Sequence, residues 1–297
     1  METMRDIQIR MKSIKSTRQI TETMRMISNR KIQRIKKRME ENRPYFEQTA
    51  KIIKNITDNP GISPDIKGHA YIAGHPETKA DPASKKSLVI IITGDRGLCG
   101  GYNANVQKEA SALIKKLGET GILAVGTKGR DYFRRRQKNI VSHYKGLSEN
   151  PFYEDARNIG SEAIKMYNEK AADEVYLVFT KYETMMSQIP KVLRLLPLPG
   201  EDAGGGAGDG YSMDFEGGDA EFFEYAAESY IYATINGAML ESAVSEQCAR
   251  MTGMDSAVKN SEKIIDSLTL QYNQMRQGAI TQEIAEIVGG ANAVGSE

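Results

Sequence analysis

The sequence has little of the chemistry on which most enzymes, metal proteins and secreted domains depend. Its 297 residues include two cysteines, three histidines and no tryptophan, and the net charge is only +1. Cys99 and Cys248 lie in different segments, so neither a disulfide framework nor a zinc site is expected. The histidines His69, His75 and His143 are not spaced with Cys or carboxylates as metal ligands. We therefore expect no catalytic site, no metal and no cofactor.

Long apolar runs are also missing, and no charged segment followed by an apolar one stands at the beginning of the sequence. A transmembrane helix needs about 20 consecutive, mostly apolar residues, and a signal peptide needs a shorter apolar core. We therefore expect a soluble chain whose first residues already belong to the mature fold.

Proline is missing from two long stretches, Met4 to Arg43 and Asp219 to Ala293. Because proline is the strongest helix breaker, each stretch predicts a long helix. At a rise of 1.5 Å per residue, the second helix would be about 100 Å long, more than a globular core of this mass can cover. Gly237, Gly253 and Gly278 weaken it by about 1 kcal/mol each, which leaves several shorter helices in a bundle as an alternative.

Apolar residues in both stretches recur at helical spacing. The N-terminal set is Met4, Ile7, Met11, Ile14, Ile20, Met24, Ile27, Ile35 and Met39. The C-terminal set is Val244, Cys248, Met251, Val258, Ile265, Leu268, Tyr272, Met275 and Ala279, with Asp255 and Glu262 at the skipped turns. Steps of three and four residues are typical of a coiled-coil seam. The two helices are predicted to pair antiparallel within one chain, and Pro44 is expected to kink the first or to open a new turn.

The N-terminal stretch is basic although the whole chain is nearly neutral. Residues 1–43 hold thirteen Lys and Arg against five Asp and Glu. A basic amphipathic helix is typical of transit peptides, membrane-surface helices, nucleic-acid arms and helices with an acidic partner. The interspersed acidic residues argue against a transit peptide, and the lack of aromatic residues argues against a membrane anchor. A solvated charged face and a docking surface for acidic protein loops remain as interpretations.

The middle of the chain has a different pattern. The β-branched run from Leu88 to Thr93 is typical of a strand buried on both faces. Strand and helix patterns then alternate as far as Leu196, which predicts a small, mostly parallel α/β sheet. The expected architecture is a long antiparallel coiled coil with a small Rossmann-like α/β domain. Its predicted segments are an N-terminal coiled-coil helix (1–58), a connector of low order (59–86), the α/β domain (87–199), a Gly-rich linker (200–218) and a C-terminal coiled-coil helix (219–297).

One loop has a composition that suggests chemistry, the stretch GDRGLCGGYN at 94–103, directly after the first strand. A glycine-rich turn between a strand and a helix can bind phosphate through backbone N–H groups. Neither the dinucleotide fingerprint nor the phosphate-loop pattern is present, so tight turning explains the glycines equally well. Arg96 would lower the pKa of Cys99, because a nearby cation favours the thiolate, although no base accompanies the thiol.

Three regions resemble the gamma subunit family of the bacterial F-type ATP synthase. They are MRDIQIRMKSIKSTRQITETMRMISNRK at 4–31, the 94–103 loop, and ESAVSEQCARMTGMDSAVKN at 241–260 with LTLQYNQMRQGAITQEIAEIVGGA at 268–291. The resemblance implies a non-catalytic rotor shaft inside a ring of three alpha and three beta subunits. It would couple ion-driven rotation of the c-ring to ATP synthesis or hydrolysis at the beta-subunit sites. It also implies contacts with the epsilon subunit and the c-ring, and a peripheral location at the cytoplasmic face of the bacterial plasma membrane.

The resemblance assigns roles to individual residues. Beta-subunit contacts are implied for Lys31, Arg96, Arg250, Arg276 and Gln277, and coupling roles for Met24, Thr281, Glu283 and Glu286. The sequence departs from the family at Ser28 and Asn29, where small alanines are usual, which puts close packing there in question. The Gly-rich stretch at 203–210 resembles a local insertion, and the plant-type regulatory insert with paired cysteines is missing.

Two other functional classes remain as alternatives. A coiled-coil adaptor or chaperone would grip clients between the two helices, but it would not need the 94–103 loop. A dinucleotide-binding enzyme could be built on the middle sheet, but it would not need either long helix.

Overall fold

A computed structural model describes residues 3–57, 64–75, 85–198 and 219–294. The chain divides into two compact units. We call the first the two-helix unit, which comprises Met1–Ser28 and Met251–Glu297, and the second the α/β unit, which comprises Asn29–Arg250. The Gly-rich linker predicted at 200–218 lies outside the described residues. None of the helices in the described ranges is both long enough and apolar enough to cross a bilayer.

Two long helices contribute to both units. Helix α1 spans Met4–Thr57, and the last helix of the chain, α7, spans Asp219–Val294. The two long helices predicted from the missing prolines are therefore confirmed, and the alternative of several shorter helices is wrong. Pro44 lies inside α1 and does not open a new turn. Proline removes one backbone hydrogen bond, but the turns on either side continue the helix.

The two helices run antiparallel in the two-helix unit. The Gln8 side-chain amide donates to the Tyr272 hydroxyl at 2.8 Å, and Arg25 Nη1 donates to Asp255 Oδ1 at 2.9 Å. Residue numbers rise along α1 while those of the partners fall along α7. This arrangement confirms the predicted antiparallel pairing within one chain.

The predicted α1 seam is wrong between residues 18 and 28. Ile20 is 58 % exposed and Ile27 is 49 % exposed, and Met24 is exposed as well. The alternating steps of three and four set by Met4, Ile7, Met11 and Ile14 continue through polar positions, because the positions that face a paired helix recur every seven residues. The buried or half-buried seam of α1 therefore consists of Met4, Ile7, Met11, Ile14, Arg18, Thr21, Arg25 and Ser28.

The α7 seam follows the predicted spacing more closely. Its buried or half-buried positions are Met251, Met254, Val258, Ser261, Ile265, Leu268, Tyr272 and Ala279. Met275 was predicted in this seam but is exposed. Asp255 and Glu262 flank the seam and pair with Arg25 and Arg18, at N–O distances of 2.9 Å and 3.4 Å. The charged residues at the skipped turns therefore hold the cations that occupy the seam of α1.

The α/β unit contains a five-stranded sheet. Its strands are β1 (Ser87–Ile92), β2 (Thr120–Val125), β3 (Ile140–Tyr144), β4 (Glu174–Tyr182) and β5 (Gln188–Leu196), and their spatial order is β3-β2-β1-β4-β5. All neighbouring strands are parallel except β4 and β5, which pair antiparallel. The helices between strands are α4 (Tyr102–Leu117), α5 (Thr127–Arg134) and α6 (Tyr153–Asn168). The mostly parallel α/β sheet predicted from the sequence is confirmed.

Both faces of β1 are covered, as its continuous apolar sequence predicts. Val89 and Ile91 pack in one cluster with Val106 of α4 and Phe133 of α5. Alternate residues of β1 point to the other face, because side chains alternate along a strand. There the core includes Leu88, Ile90, Ile92, Ile159 and Ala163 together with Ile53 and Ile56 of α1 and Ile231, Ile235 and Met239 of α7. The long helices are thus part of the core of this unit.

Residues 64–75 correct the prediction of a connector of low order. They form two short helices, α2 (Pro64–Gly68) and α3 (Ala70–Ala73). Tyr71 is buried, its carbonyl accepts from the Leu198 amide at 2.7 Å, and the Tyr167 hydroxyl donates to the Ala70 carbonyl at 2.8 Å. Pro64 begins α2, Gly68 ends it and Gly74 caps α3, so these residues mark helix ends and do not indicate disorder.

Candidate functional site

The 94–103 loop lies where the parallel strands β1, β2 and β3 end. The carboxyl ends of parallel strands meet at one edge of a sheet, which brings the loops that follow them together. Thr93 is fully buried, and its hydroxyl donates to the Val125 carbonyl at 3.1 Å and accepts from the Gly129 amide at 2.8 Å. A Cβ at Gly126 would lie 2.1 Å from the Thr93 carbonyl oxygen, so only glycine fits there. We call this region the strand-end cluster: the 94–103 loop, residues 126–127 and 146–150, and the parts of α1 and α7 that contact them.

Asp95 ties the three loops of the strand-end cluster together. Its carboxylate accepts from the Thr127 amide at 2.9 Å, the Thr127 hydroxyl at 2.7 Å, the Gly146 amide at 2.9 Å and the Ser148 hydroxyl at 3.1 Å. Burial alone would raise the pKa of Asp95, but these hydrogen bonds favour the charged form and hold the pKa below its ordinary value. An ionised carboxylate with all of its donors inside the chain is a structural tie.

Glu149 brings together two of the predicted contact residues. Its Oε2 lies 2.6 Å from Lys31 Nζ on α1, and its Oε1 lies 3.5 Å from Arg96 Nε in the loop. Partial burial acts to raise the pKa of Glu149, but the hydrogen bond and charge of Lys31, together with the Arg96 guanidinium, lower it below its ordinary value. The Arg96 side chain is 76 % exposed, whereas those of Lys31 and Glu149 are only about one quarter exposed.

Glu246 and Arg250 form a second ion pair beneath the same loop. Arg250 Nη2 lies 2.6 Å from Glu246 Oε1 and donates to the Gly97 carbonyl at 3.2 Å. Glu246 is fully buried, and burial raises its pKa even though Arg250 opposes that effect. A Cβ at Gly94 would lie 3.0 Å from this carboxylate, so the glycine allows the loop to approach α7 closely. The Arg250 guanidinium is bonded inside the chain, and the residue is 8 % exposed. The beta-subunit contact implied for Arg250 stays a prediction.

The expectation of a low pKa at Cys99 is wrong. Burial raises the pKa of this thiol, and the nearby Glu246 carboxylate raises it further. Arg96 was expected to favour the thiolate, but its guanidinium contacts Glu149 instead. The sulfur of Cys99 accepts from the Asn103 side-chain amide at 3.1 Å, so this cysteine is a buried structural residue.

The 94–103 loop also has backbone amides that are not free to bind a phosphate. The Gly94 amide donates to Asn103 Oδ1 at 2.8 Å, and the Asp95 amide donates to the Ser148 hydroxyl at 3.1 Å. Two of the amides that would face a phosphate are therefore already bonded. Within the described ranges, no three His, Cys, Asp or Glu side chains lie close enough to hold a metal ion.

The other predicted site residues lie in the two-helix unit. Met24 on α1 is exposed, and so are all five predicted positions on α7, namely Arg276, Gln277, Thr281, Glu283 and Glu286. The Thr281 hydroxyl donates to the Gln277 carbonyl at 2.9 Å, a bond within the helix. The predicted sites therefore form two groups, one in the strand-end cluster and one on the exposed surface of the paired helices.

Sequence reasoning missed Asp95, Glu149 and Glu246. Glu149 follows β3 by a few residues, and the rule that loops gather at the carboxyl ends of parallel strands could have found it. Glu246 precedes Arg250 by four residues, the spacing of an ion pair along a helix. Asp95 stood inside the loop already singled out, but its hydrogen-bond partners come from distant segments and leave no sequence signal.

The chain is similar to known proteins over nearly its whole length. The family model described as ATP synthase matches residues 3–294. The ATP synthase gamma chain of Halothermothrix orenii is 40 % identical over 99 % of this chain and 100 % of the relative, and that of Alkaliphilus metalliredigens is 38 % identical over 98 % of each. The relative from Acetobacterium woodii, described as an ATP synthase gamma chain, sodium ion specific, is 36 % identical over 99 % of each chain.

Solved structures show the same fold at lower identity. A chain from the rotor of the Euglena gracilis mitochondrial ATP synthase matches with a TM-score of 0.64, 18 % identity and coverage of 93 % of this chain and 98 % of that chain. A chain from the central stalk and c-ring of the Tetrahymena thermophila enzyme matches with a TM-score of 0.57, 23 % identity and coverage of 80 % and 99 %. The chain therefore belongs to the ATP synthase gamma chain family, as a non-catalytic subunit that forms the rotor of the central stalk.

Proposed function

We propose that the paired helices of this chain turn inside a hexamer of three alpha and three beta subunits. Ion flow through the c-ring would drive the rotation, and the side of the shaft that faces each beta subunit would set the conformation of its catalytic site. Membership of the gamma chain family supports this proposal. The two-helix unit provides the surface for it, because its seam is internal and the rest of each helix faces outward.

The observation that carries the proposal is the number of large apolar side chains exposed on this unit. In α1 they are Ile9, Ile20, Met24, Met26 and Ile27, and in α7 they are Ile264, Leu270, Met275, Ile280, Ile284, Ile287 and Val288. Ile280, Ile284, Ile287 and Val288 recur at the spacing of one helix face, so they form a continuous exposed apolar stripe, and such a stripe marks an interaction site. The last four lie beyond Tyr272, the partner of Gln8 near the start of α1. We propose that these four form a low-friction contact between the end of the shaft and the hexamer.

Charged contacts would complement the apolar ones. We propose that Lys31 and Arg96 in the strand-end cluster, and Arg276 and Gln277 on α7, bind acidic loops of the beta subunit. Charge-assisted hydrogen bonds of this kind are strong when formed and can be exchanged as the shaft turns. Met24, Thr281, Glu283 and Glu286 are proposed to influence coupling from the same exposed surface.

We further propose that the α/β unit contacts the epsilon subunit and the c-ring. The chain would then be held at the cytoplasmic face of the bacterial plasma membrane as a peripheral part of the complex. In this arrangement the α/β unit would turn both helices, because parts of α1 and α7 belong to its core. Torque applied to this unit would pass directly into both helices.

Co-purification tests the proposal. A tagged chain expressed in its native host should retain alpha and beta subunits, and the complex should hydrolyse ATP while the isolated chain does not. The matched variants are Leu268→Asp, which puts a charge into the seam, and Leu270→Asp, which puts the same charge on an exposed position of the same helix. Leu268→Asp should disrupt the helix pair of the isolated chain, and Leu270→Asp should weaken only the association with the hexamer. Recovery of the chain alone, or with unrelated client proteins, would favour a coiled-coil adaptor instead.

A further inference from the structure

Glu149 pairs with Lys31 and Arg96, the same two cations that are proposed to bind carboxylates of the beta subunit. The two oxygens of Glu149 face Lys31 Nζ at 2.6 Å and Arg96 Nε at 3.5 Å. Lys31 lies on α1 and Arg96 on the loop after β1, so the contact joins two separate elements. Any acidic loop that binds these cations must first displace Glu149 or share them with it.

The backbone next to Glu149 is held firmly in place. Ser148 is buried. Its hydroxyl accepts a hydrogen bond from the Asp95 amide and donates one to the Asp95 carboxylate, each at 3.1 Å. On the other side, the Asn150 side-chain oxygen accepts from Arg38 Nη1 of α1 at 2.9 Å. A carboxylate tethered in this way has a high effective concentration near Lys31, so it rebinds whenever the partner leaves.

The ion pair itself has the character of an exchangeable contact. The Lys31 and Glu149 side chains are partly exposed and Arg96 is mostly exposed. Ion pairs that remain in contact with solvent contribute little net stability, so they can open at small cost. The neighbouring pair of Glu246 and Arg250 differs, because both side chains are almost completely buried and the guanidinium also holds the Gly97 carbonyl. The strand-end cluster therefore combines one fixed ion pair with one that a partner can reach.

We propose that Glu149 is an intramolecular competitor for the acidic beta-subunit loop, which holds Lys31 and Arg96 between encounters and releases them when a partner carboxylate arrives. This inference rests on the proposed contact of Lys31 and Arg96 with the beta subunit. A competitor limits the lifetime of each contact, which suits a shaft that must leave one beta subunit for the next. A residue that merely positioned Lys31 would have the opposite effect on affinity.

The sign of one substitution separates the two roles. Glu149→Gln removes the competing charge, so the chain should dissociate from the alpha and beta hexamer about two- to fivefold more slowly than the wild type, the range expected for an ion pair that is in contact with solvent. The rate is measured by following a fluorescently labelled chain released from the assembled complex at moderate salt. In a chain that already carries Lys31→Gln and Arg96→Gln, adding Glu149→Gln should leave the rate unchanged, because nothing remains to be freed.

Glu47→Gln is the matched control. Glu47 pairs with Arg43 at 2.6 Å in another exposed contact of the same unit, so its substitution makes the same change in net charge. It should not slow dissociation. A Glu149→Gln chain that dissociates at the wild-type rate or faster overturns the inference while the shaft function stands. A wild-type chain that retains no hexamer overturns both.

Discussion

Helix α7 lies in two very different environments. One segment is covered by the rest of the chain, and another is exposed along most of its surface. Every residue from Ser242 to Cys248, in the α/β unit, is buried, so this segment is covered on all sides. From Thr269 to Val288, in the two-helix unit, only Tyr272 and Ala279 are even half-buried. The same continuous helix is thus a core element at one point and an almost free surface at another.

The covered segment contributes to the stability of the fold, whereas the exposed segment is available for binding. In the covered segment, the Ser242 hydroxyl accepts from the Thr180 amide of β4 at 3.2 Å, and Arg250 donates to the Gly97 carbonyl at 3.2 Å, so the helix is bonded both to the sheet and to the 94–103 loop. In the exposed segment, a seam along one side of the helix is enough to hold α1, and the remaining surface is available to a partner. Substitutions in the two segments should therefore affect different measurements.

The largest expected effect is that of a charge in the covered segment. Val244→Asp should reduce the free energy of unfolding by about 5 kcal/mol or more, because it removes a buried apolar side chain and buries an unpaired carboxylate. Thr269→Asp, on the exposed part of the same helix, should change it by no more than about 0.5 kcal/mol. Urea unfolding followed by circular dichroism measures both. Equal effects of the two substitutions would contradict the contrast between the segments.

A somewhat smaller effect is expected when the buried ion pair loses its cation. Arg250→Ala should cost about 3–5 kcal/mol, because it leaves Glu246 charged and unpaired inside the core. Adding Glu246→Gln should recover part of this loss. Unfolding in urea at pH 7 provides the comparison of the single variant, the double variant and the wild type.

The same pair predicts a pH dependence. Burial raises the pKa of Glu246 above its ordinary value of 4.5. An acid whose pKa is higher in the folded state favours folding when protonated, so its contribution to stability is largest below the unfolded pKa and is lost as the pH rises through the folded pKa. The deficit of Arg250→Ala relative to Arg250→Ala/Glu246→Gln should therefore shrink between pH 7 and pH 5. A deficit that grows on acidification would show that Glu246 is not the strained group.

The smallest effect on stability is expected at Arg276, which is exposed on α7. Arg276→Ala should change the free energy of unfolding of the chain by no more than about 0.5 kcal/mol. In the complex it should remove a contact of about 1.5–3 kcal/mol if a beta-subunit carboxylate buries the guanidinium. The ATPase rate should fall, and ion pumping should fall at least as far. Arg276→Lys should restore only part of both activities, because lysine lacks the planar fork. A complex of normal turnover and pumping would reject this contact.

The family resemblance predicts contacts at exposed positions that the geometry of the chain alone does not suggest. Arg276 and Gln277 have no contact in the described chain that marks them as functional, so a partner must be known before they can be singled out. The resemblance was less informative for Arg250, whose side chain is bonded to Gly97 and Glu246. The question about packing at Ser28 and Asn29 is answered differently at each position, since Ser28 is buried in the seam and Asn29 is exposed.

The sequence by itself determined the two long helices, most of the seam on α7 and the parallel strands. These follow from local properties, namely the missing prolines, the steps of three and four, and the β-branched run of β1, and each is a property of neighbouring residues. Only the tertiary structure decided that Arg18 and Arg25 occupy the seam in place of Ile20 and Ile27, because the register depends on the whole helix pair. It also decided that residues 64–75 are ordered, and that Asp95, Glu149 and Glu246 organise the loop. The partner of Glu246 is four residues away, but Gly146 is 51 residues from Asp95 and Lys31 is 118 residues from Glu149. Only the folded chain brings residues so distant in sequence into contact.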